Sequence, residues 1–151
     1  MIKFVRTRGD NSDYIELTRQ LDEELHSIYG ELQCKYDTFN MIFDIDTVII
    51  AFDDEIAIGC GCFKVYDDVT VEIKRMFVQS DYRNRRIAGQ ILHELEEWAI
   101  EKKFKRFILE TCSNQPQAVT LYKRSGYHVI ENFGQYVGDK NSICMYKELL
   151  T

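Results

Sequence analysis

The sequence predicts an α+β (α/β mixed) fold: a central mixed, largely antiparallel sheet with helices on both faces. Three observations predict it. Apolar runs over 47–52, 56–65 and 70–78 are joined by short acidic turns, the pattern of an antiparallel meander. Three other stretches repeat apolar residues every three or four positions, the period of a helix with one buried face. Beyond the second of these helices the elements run strand, helix, strand, strand, so helices are interleaved with the sheet.

Taken in order, Ser12 to Tyr29 reads as an amphipathic helix. Tyr14, Leu17, Leu21, Leu25 and Ile28 share one face, and Asn11 or Ser12 can cap its start. Residues 31–45 mix Tyr36, Phe39, Met41 and Phe43 with polar groups and stay unassigned. Thr47 to Phe52 is a strand, Asp53-Asp54-Glu55 a tight turn, and Ile56 to Val65 the returning strand. Asp67-Asp68 then turns the chain into a third strand, Thr70 to Val78. Ile87, Ala88, Ile91, Leu92, Leu95, Trp98 and Ala99 fit one face of a helix running to Lys103, with Glu94, Glu97 and Glu101 on its solvated side. Arg106 to Glu110 is a short buried strand. In the helix Gln115 to Ser125, Pro116 suits the first turn and Gly126 the stop. Tyr127 to Ile130 and Ser142 to Lys147 are two more strands.

A chain of 151 residues with 45% apolar side chains and a single proline has the length and composition of one globular domain, spanning 1–151. No run approaches the roughly 18 apolar residues of a membrane helix. Met1 to Arg6 lacks the apolar stretch of a signal peptide, so a cytoplasmic protein with no membrane partner is expected. Cys34, Cys60, Cys62, Cys112 and Cys144 show no metal-ligand spacing. Strand alternation sends Cys60 and Cys62 to one face, and the set reads as buried free thiols in a reducing compartment. Asp44 and Asp46, like Asp53 to Glu55, lack the spacing of a calcium loop, so no metal is expected. His26, His93 and His128 are scattered and read as structural or surface residues.

A net charge of −6 argues against nucleic acid as a partner. Its distribution is more telling. Residues 1–70 hold 6 basic and 15 acidic side chains, a balance of −9, whereas residues 71–107 hold 9 basic and 6 acidic. One basic segment in an acidic chain points to a small anionic ligand held at a defined place. Within it, the strand ending at Val78 passes through a tight turn into Arg83-Asn84-Arg85-Arg86-Ile87-Ala88-Gly89, which opens the long helix. A helix start aims unpaired amides and the positive end of its dipole at one spot, which suits phosphate. Arg83, Arg85 and Arg86 add charge, and the small Ala88 and Gly89 admit a bulky anion.

Arg83-x-x-Arg86-x-Ala88 between strand and helix resembles motif A of the GNAT N-acetyltransferase superfamily, Gln/Arg-x-x-Gly-x-Gly/Ala, with Arg86 where the motif has its first glycine. Ala118-x-x-Leu121-Tyr122-x-x-x-Gly126-Tyr127 resembles motif B of the same family. Phe133-Gly-x-Tyr136 followed by Ser142-x-Cys144-Met-x-Lys147 is similar to the tails of many bacterial members, and the meander matches the family's antiparallel strands. The resemblance covers residues 45–149 well and the first helix more loosely. It implies the GNAT fold, with two parallel strands splayed at the cofactor site, and acetyl-CoA as co-substrate. It implies that Arg83, Asn84, Arg85, Arg86, Ile87, Ala88 and Gly89 hold the pyrophosphate. It further implies that backbone groups of Met76, Phe77 and Val78 bind the thioester oxygen or pantetheine. Gln115 stands where the family often has a cofactor-contacting Asn, with Asn114 just before it.

Tyr122 matches the family tyrosine whose hydroxyl approaches the CoA sulfur and can protonate the leaving thiolate. Glu72 has the spacing of the general base that acts through water in well-studied relatives. The residues themselves leave open an ion pair of Glu72 with Lys74 or Arg75, or a role as anchor for the acceptor. Alternation puts Glu72, Lys74 and Met76 on one strand face and Val71, Ile73 and Phe77 on the other. The implied reaction is direct acetyl transfer, in a ternary complex, to a primary amine of a small molecule or peptide. An acyl-CoA-binding module of the same fold without turnover is the alternative. Many members of the family dimerise, which leaves a homodimer open. In such proteins the N-terminal half helps build the acceptor groove, so the −9 balance predicts a preference for cationic amines over acidic amino acids.

Overall fold

The computed structural model describes residues 1–29 and 44–149. Most of the unassigned stretch, 31–43, therefore lies outside the described residues. The elements are β1 (Ile2–Thr7), α1 (Ser12–Tyr29), β2 (Val48–Asp53), β3 (Ile56–Val65), β4 (Thr70–Val78), α2 (Ile87–Glu101), β5 (Arg106–Cys112), α3 (Pro116–Arg124), β6 (His128–Ile130) and β7 (Ser142–Glu148). Short 3-10 turns at Ser80–Tyr82 and Gly134–Tyr136 complete them. The strands form a seven-stranded mixed sheet in the order β1-β2-β3-β4-β5-β7-β6, and with three helices the fold is α+β, as predicted.

The chain divides into two compact units, residues 1–63 with 75–95 and residues 64–74 with 96–151. In the first unit, β1 pairs antiparallel with β2 from Ile2↔Asp53 to Thr7↔Val48, and β2 with β3 from Val48↔Cys62 to Asp53↔Ile56. The sequence reading did not assign β1. Its alternation is short, and Val5 is exposed, so its pattern is that of an edge strand with little core to mark it. Asn11 is the cap of α1: its Oδ1 accepts the amides of Asp13 at 2.8 Å and Tyr14 at 3.3 Å. Tyr14, Leu17, Leu21 and Leu25 are buried as their spacing predicts, and the Tyr14 hydroxyl donates to Cys62 Sγ at 3.6 Å. Gly59 and Gly61 belong to the other face of β3. A Cβ on Gly61 would come within 2.5 Å of Met76 Sδ and 3.1 Å of Ile91 Cγ2, so only glycine lets α2 approach this closely.

In the second unit, the parallel ladder of β4 with β5 runs from Thr70↔Arg106 to Ile73↔Leu109, while β5 pairs with β7 antiparallel along its whole length. The two parallel strands continue past that ladder, β4 to Val78 and β5 to Cys112. Helix α2 ends at Glu101 rather than Lys103, because Lys103 adopts φ +77°. Pro116 opens α3, and Gly126 at φ +98° ends it. Glu96 is buried among groups that satisfy it: Tyr127 donates to Oε2 at 2.7 Å and Lys147 to Oε1 at 2.9 Å.

The alternation expected along β4 breaks at Arg75, whose φ is +58°. A left-handed residue inside a strand interrupts the two-residue alternation of the side chains that follow it. Glu72 and Lys74 stay together, but Met76 leaves their face and packs below Gly61 beside Ile91 and Leu95. Arg75 turns toward α1, where Nη2 donates to the Thr18 carbonyl at 3.0 Å and to Asp22 at 2.9 Å.

Candidate active site

The turn from β4 into α2 lies in the first unit. Asn84 and Arg86 take φ of +65° and +63°. Left-handed residues alternating with others in a turn are the backbone arrangement that gathers successive amides for an anion. The first amide beyond it to donate to a backbone carbonyl is that of Gln90, to Arg86, at 3.2 Å. Among the described residues the amides of Arg85, Arg86, Ile87, Ala88 and Gly89 donate to no backbone carbonyl. They stand at the positive end of a fifteen-residue helix. These residues fit a pyrophosphate, and the fit is a backbone property. It explains why the family pattern favours glycine at position 86: an L-residue there sits in a strained conformation.

The side chains are placed differently from the sequence reading. Arg83 does not project free charge: Nε donates to the Val78 carbonyl at 2.8 Å, Nη2 pairs with Glu24 at 2.6 Å, and the guanidinium lies over the Phe77 ring. It ties the end of β4 to α1. Arg85 lies over the ring of Tyr82, whose hydroxyl donates to Asp53 at 2.9 Å. Arg86 is exposed. Replacing it with glycine removes about 1–2 kcal/mol of left-handed strain and adds roughly 0.5–1 kcal/mol of unfolded-state entropy. Arg86→Gly is therefore expected to stabilise the protein by a fraction of a kcal/mol up to about 1 kcal/mol, read as a higher urea midpoint. Titration of the same variant with CoA reads the lost charge separately: weaker binding assigns the guanidinium a phosphate contact, and unchanged binding leaves the anion to the backbone.

The second unit holds the titratable candidates. Glu72 is buried, and Oε2 accepts from Lys74 Nζ at 3.3 Å and from the Tyr136 hydroxyl at 3.5 Å. Lys74, its side chain 4% exposed, also reaches the Tyr136 hydroxyl at 3.3 Å. The ion pair that the sequence left open is thus with Lys74; Arg75 belongs to Asp22. Tyr122 is buried, with its ring edge-to-face on Tyr127 at 5.9 Å, and among the described residues no hydrogen bond engages its hydroxyl. Burial, and then the charge of Glu110, hold that hydroxyl well above the usual phenol range. Burial followed by Glu72 and Glu110 does the same to Tyr136. Gln115 stands at the N-cap of α3, just before Pro116, and accepts from Thr111 Oγ1 at 3.4 Å.

Glu110 was not singled out by the sequence reading. It is half-buried on β5, accepts from Ser142 Oγ at 2.6 Å, and acts electrostatically on Tyr122, Tyr136 and Cys144 together. The available signal was one carboxylate closing an otherwise apolar run, Phe107-Ile108-Leu109. Burial pushes the Cys144 thiol up to about 11 and raises that of Cys60 as well. Both stay protonated near neutral pH and are poor nucleophiles. Among the described residues no group of three or more His, Cys, Asp or Glu could hold a metal, and no helix is long and apolar enough to cross a membrane.

Comparison with known proteins follows these features. Residues 14–127 match the family model "Acetyltransferase (GNAT) family". The chain is 36% identical over 99 residues, 64% of each chain, to YsnE, an uncharacterised N-acetyltransferase of Bacillus subtilis. It is 30% identical over 138 residues to an IAA acetyltransferase of Azospirillum brasilense, covering 86% of this chain and 89% of that one. Among solved structures, a Klebsiella pneumoniae protein described as an acyl-CoA N-acyltransferase superposes with TM-score 0.80 at 25% identity over 99% of both chains. The PaiA N-acetyltransferase of Thermoplasma acidophilum, in complex with coenzyme A, superposes with TM-score 0.78 at 19% identity, again over 99% of both.

Proposed function

The chain belongs to the GNAT acetyltransferase family, and on that premise we propose that it transfers an acetyl group from acetyl-CoA to a primary amine in a ternary complex. The observation that carries the reading is the cradle of unpaired amides over 85–89, shaped by left-handed Asn84 and Arg86 at the start of α2. That backbone would hold the pyrophosphate. Backbone groups at the end of β4, Met76 to Val78, would hold the pantetheine or the thioester oxygen. Acetyl-CoA supplies the activated acetyl group; the remaining chemistry belongs to the chain.

Glu72, directly or through a water, takes the proton that the amine sheds as its nitrogen bonds to the acetyl carbon. Tyr122 then serves the sulfur released when the carbon–sulfur bond breaks. A phenol raised above its usual value near 10 is a weaker acid than a thiol near 8.5. Tyr122 therefore stabilises the departing thiolate mainly by donating a hydrogen bond, and the thiolate takes its proton from solvent, to which Glu72 returns the proton shed by the amine. Glu110 adds negative charge beside Tyr122 and Tyr136, which keeps both hydroxyls protonated and able to donate.

Coenzyme A at one hundred times its dissociation constant is expected to add about 2.7 kcal/mol to stability. For a chain of this size that raises the melting temperature by about 5–10 °C. No shift at millimolar CoA would overturn the reading. Release of CoA thiol on addition of amines then separates a transferase from a module that only binds.

Among the described residues, part of the acid surplus of residues 1–70 is engaged in ion pairs. Glu16 and Glu23 pair with Arg19, Asp22 with Arg75, Glu24 with Arg83, Asp46 with Arg8, and Asp53 and Asp54 with the N-terminal amine. Comparing kcat/KM for amines of graded charge at low and high salt tests the preference for cationic acceptors.

A further inference from the structure

In the second unit, the segment 131–141 between β6 and β7 closes on itself before the chain enters β7. Asn132 ties it together from one side chain: Nδ2 donates to the Tyr136 carbonyl at 3.0 Å and to the Asp139 carbonyl at 2.9 Å. The Asp139 carboxylate accepts the Asn141 amide at 2.9 Å, and the Asp139 carbonyl accepts the Ser142 amide at 3.3 Å, where β7 begins. Side-chain bonds to nearby backbone fix a loop of this length without help from a ladder. Tyr136 is the one buried side chain of the segment, and its ring stands edge to face with Phe133 at 5.6 Å. The loop therefore sets where the Tyr136 hydroxyl points.

It points at a carboxylate. The hydroxyl donates to Glu72 Oε2 at 3.5 Å and accepts from Lys74 Nζ at 3.3 Å, and Lys74 donates to the same Oε2 at 3.3 Å. Both donors thus reach one oxygen. Among the described residues no hydrogen bond engages Glu72 Oε1, and the Glu72 side chain keeps 9% of its surface exposed. Donors from two separate elements on Oε2 restrain rotation of the carboxyl about its last bond, which holds the other oxygen in one direction. The groups around the hydroxyl are Glu72 and Lys74 from β4, Glu110 from β5, Cys144 from β7 and the neighbouring Gln135. Burial, then Glu72 and Glu110, keep it protonated, so it donates without adding a charge.

We propose that Tyr136 is a positioning residue for the proton transfer: its hydroxyl, placed by the loop that Asn132 closes, holds Glu72 Oε2 so that Oε1 takes the proton of the acceptor amine. The inference rests on the reading of Glu72 as the base and deepens it. As the nitrogen–carbon bond forms and the carbon–sulfur bond breaks, the amine proton passes to Oε1, directly or through a water. Tyr136 keeps its own proton throughout. Contacts of 3.3–3.5 Å are long, as catalytic hydrogen bonds often are before the reactants are in place.

The test is Tyr136→Phe, which keeps the ring against Phe133 and the backbone bonds of the loop and removes only the hydroxyl. The first measurement is the pH profile of single-turnover thiol release from acetyl-CoA, with the fastest amine among n-butylamine, phenethylamine, putrescine and glycinamide. The rate at neutral pH is expected to fall about tenfold, with the affinity for CoA unchanged. The acidic limb should move about half a unit to one unit higher in pH, because a carboxylate that loses a donor is less favoured in its charged form. The second measurement needs no turnover: carbon-13 NMR titration of the glutamate carboxyls of the full chain, the Glu72 signal being the one absent from the Glu72→Gln, Lys74→Met variant. Its midpoint should rise by the same amount in Tyr136→Phe. A midpoint that stays in place overturns the proposal, and a lower urea midpoint beside it would make the hydroxyl a stabilising contact alone. A midpoint that rises while the acidic limb stays in place upholds the hold on Glu72 and overturns the reading of Glu72 as the base. Thiol release with none of the amines overturns the transferase reading, and the titration still decides the hold.

Discussion

Tyr122→Phe is expected to lower kcat by about a hundredfold or more, the range that a positioned hydrogen-bond donor to developing negative charge contributes, while CoA binds as before. The ring keeps its edge-to-face contact with Tyr127. No hydrogen bond among the described residues is lost with the hydroxyl, so no partner is left unsatisfied. Stability should therefore stay within about 0.5 kcal/mol of the parent. Single-turnover thiol release isolates the chemical step from product release and is the measurement to use. Because burial and Glu110 push the Tyr122 hydroxyl up, the parent enzyme should not lose activity through ionisation of this group as pH rises toward 10. A single-turnover rate unchanged in Tyr122→Phe would return the residue to an ordinary place in the core.

The parts of the fold that were legible are those whose cause is local. Alternation marks β2, β3 and β7, helical spacing marks α1 and α2, and Pro116 with Gly126 brackets α3. The anion cradle was legible as a strand-turn-helix, and its deeper reason became visible only with the backbone, where position 86 turns out to need positive φ. Other features have causes far away in sequence. Arg83 read as phosphate charge because its partner Glu24 is 59 residues distant. The positive φ at Arg75 carries no local signature, since an arginine in a strand gives no hint of φ +58°; Met76 lies off the face shared by Glu72 and Lys74. Glu110 was hidden inside a strand read only as buried.

Glu72→Gln has two expected effects that a companion substitution separates. If Glu72 is the base, its loss lowers kcat by about a hundred- to ten-thousandfold. The same change also leaves Lys74, 4% exposed, without its carboxylate, and breaking a buried pair in this way costs about 3–5 kcal/mol. An inactive variant could then mean only a loosened fold. Lys74→Met beside Glu72→Gln removes both charges and lets the methionine occupy the volume of the lysine stem. Such neutral replacement of a buried pair is often harmless to stability, so the double variant should recover most of the lost urea midpoint. Activity should not return with it, because the base is still missing. Recovery of both stability and single-turnover rate in the double variant would assign Glu72 to the ion pair alone, and Glu110, which acts on the same two tyrosines, would then be the remaining carboxylate in the cluster able to take the amine proton. Recovery of stability without rate keeps the proton transfer at Glu72, with Lys74 as the group that holds it in place.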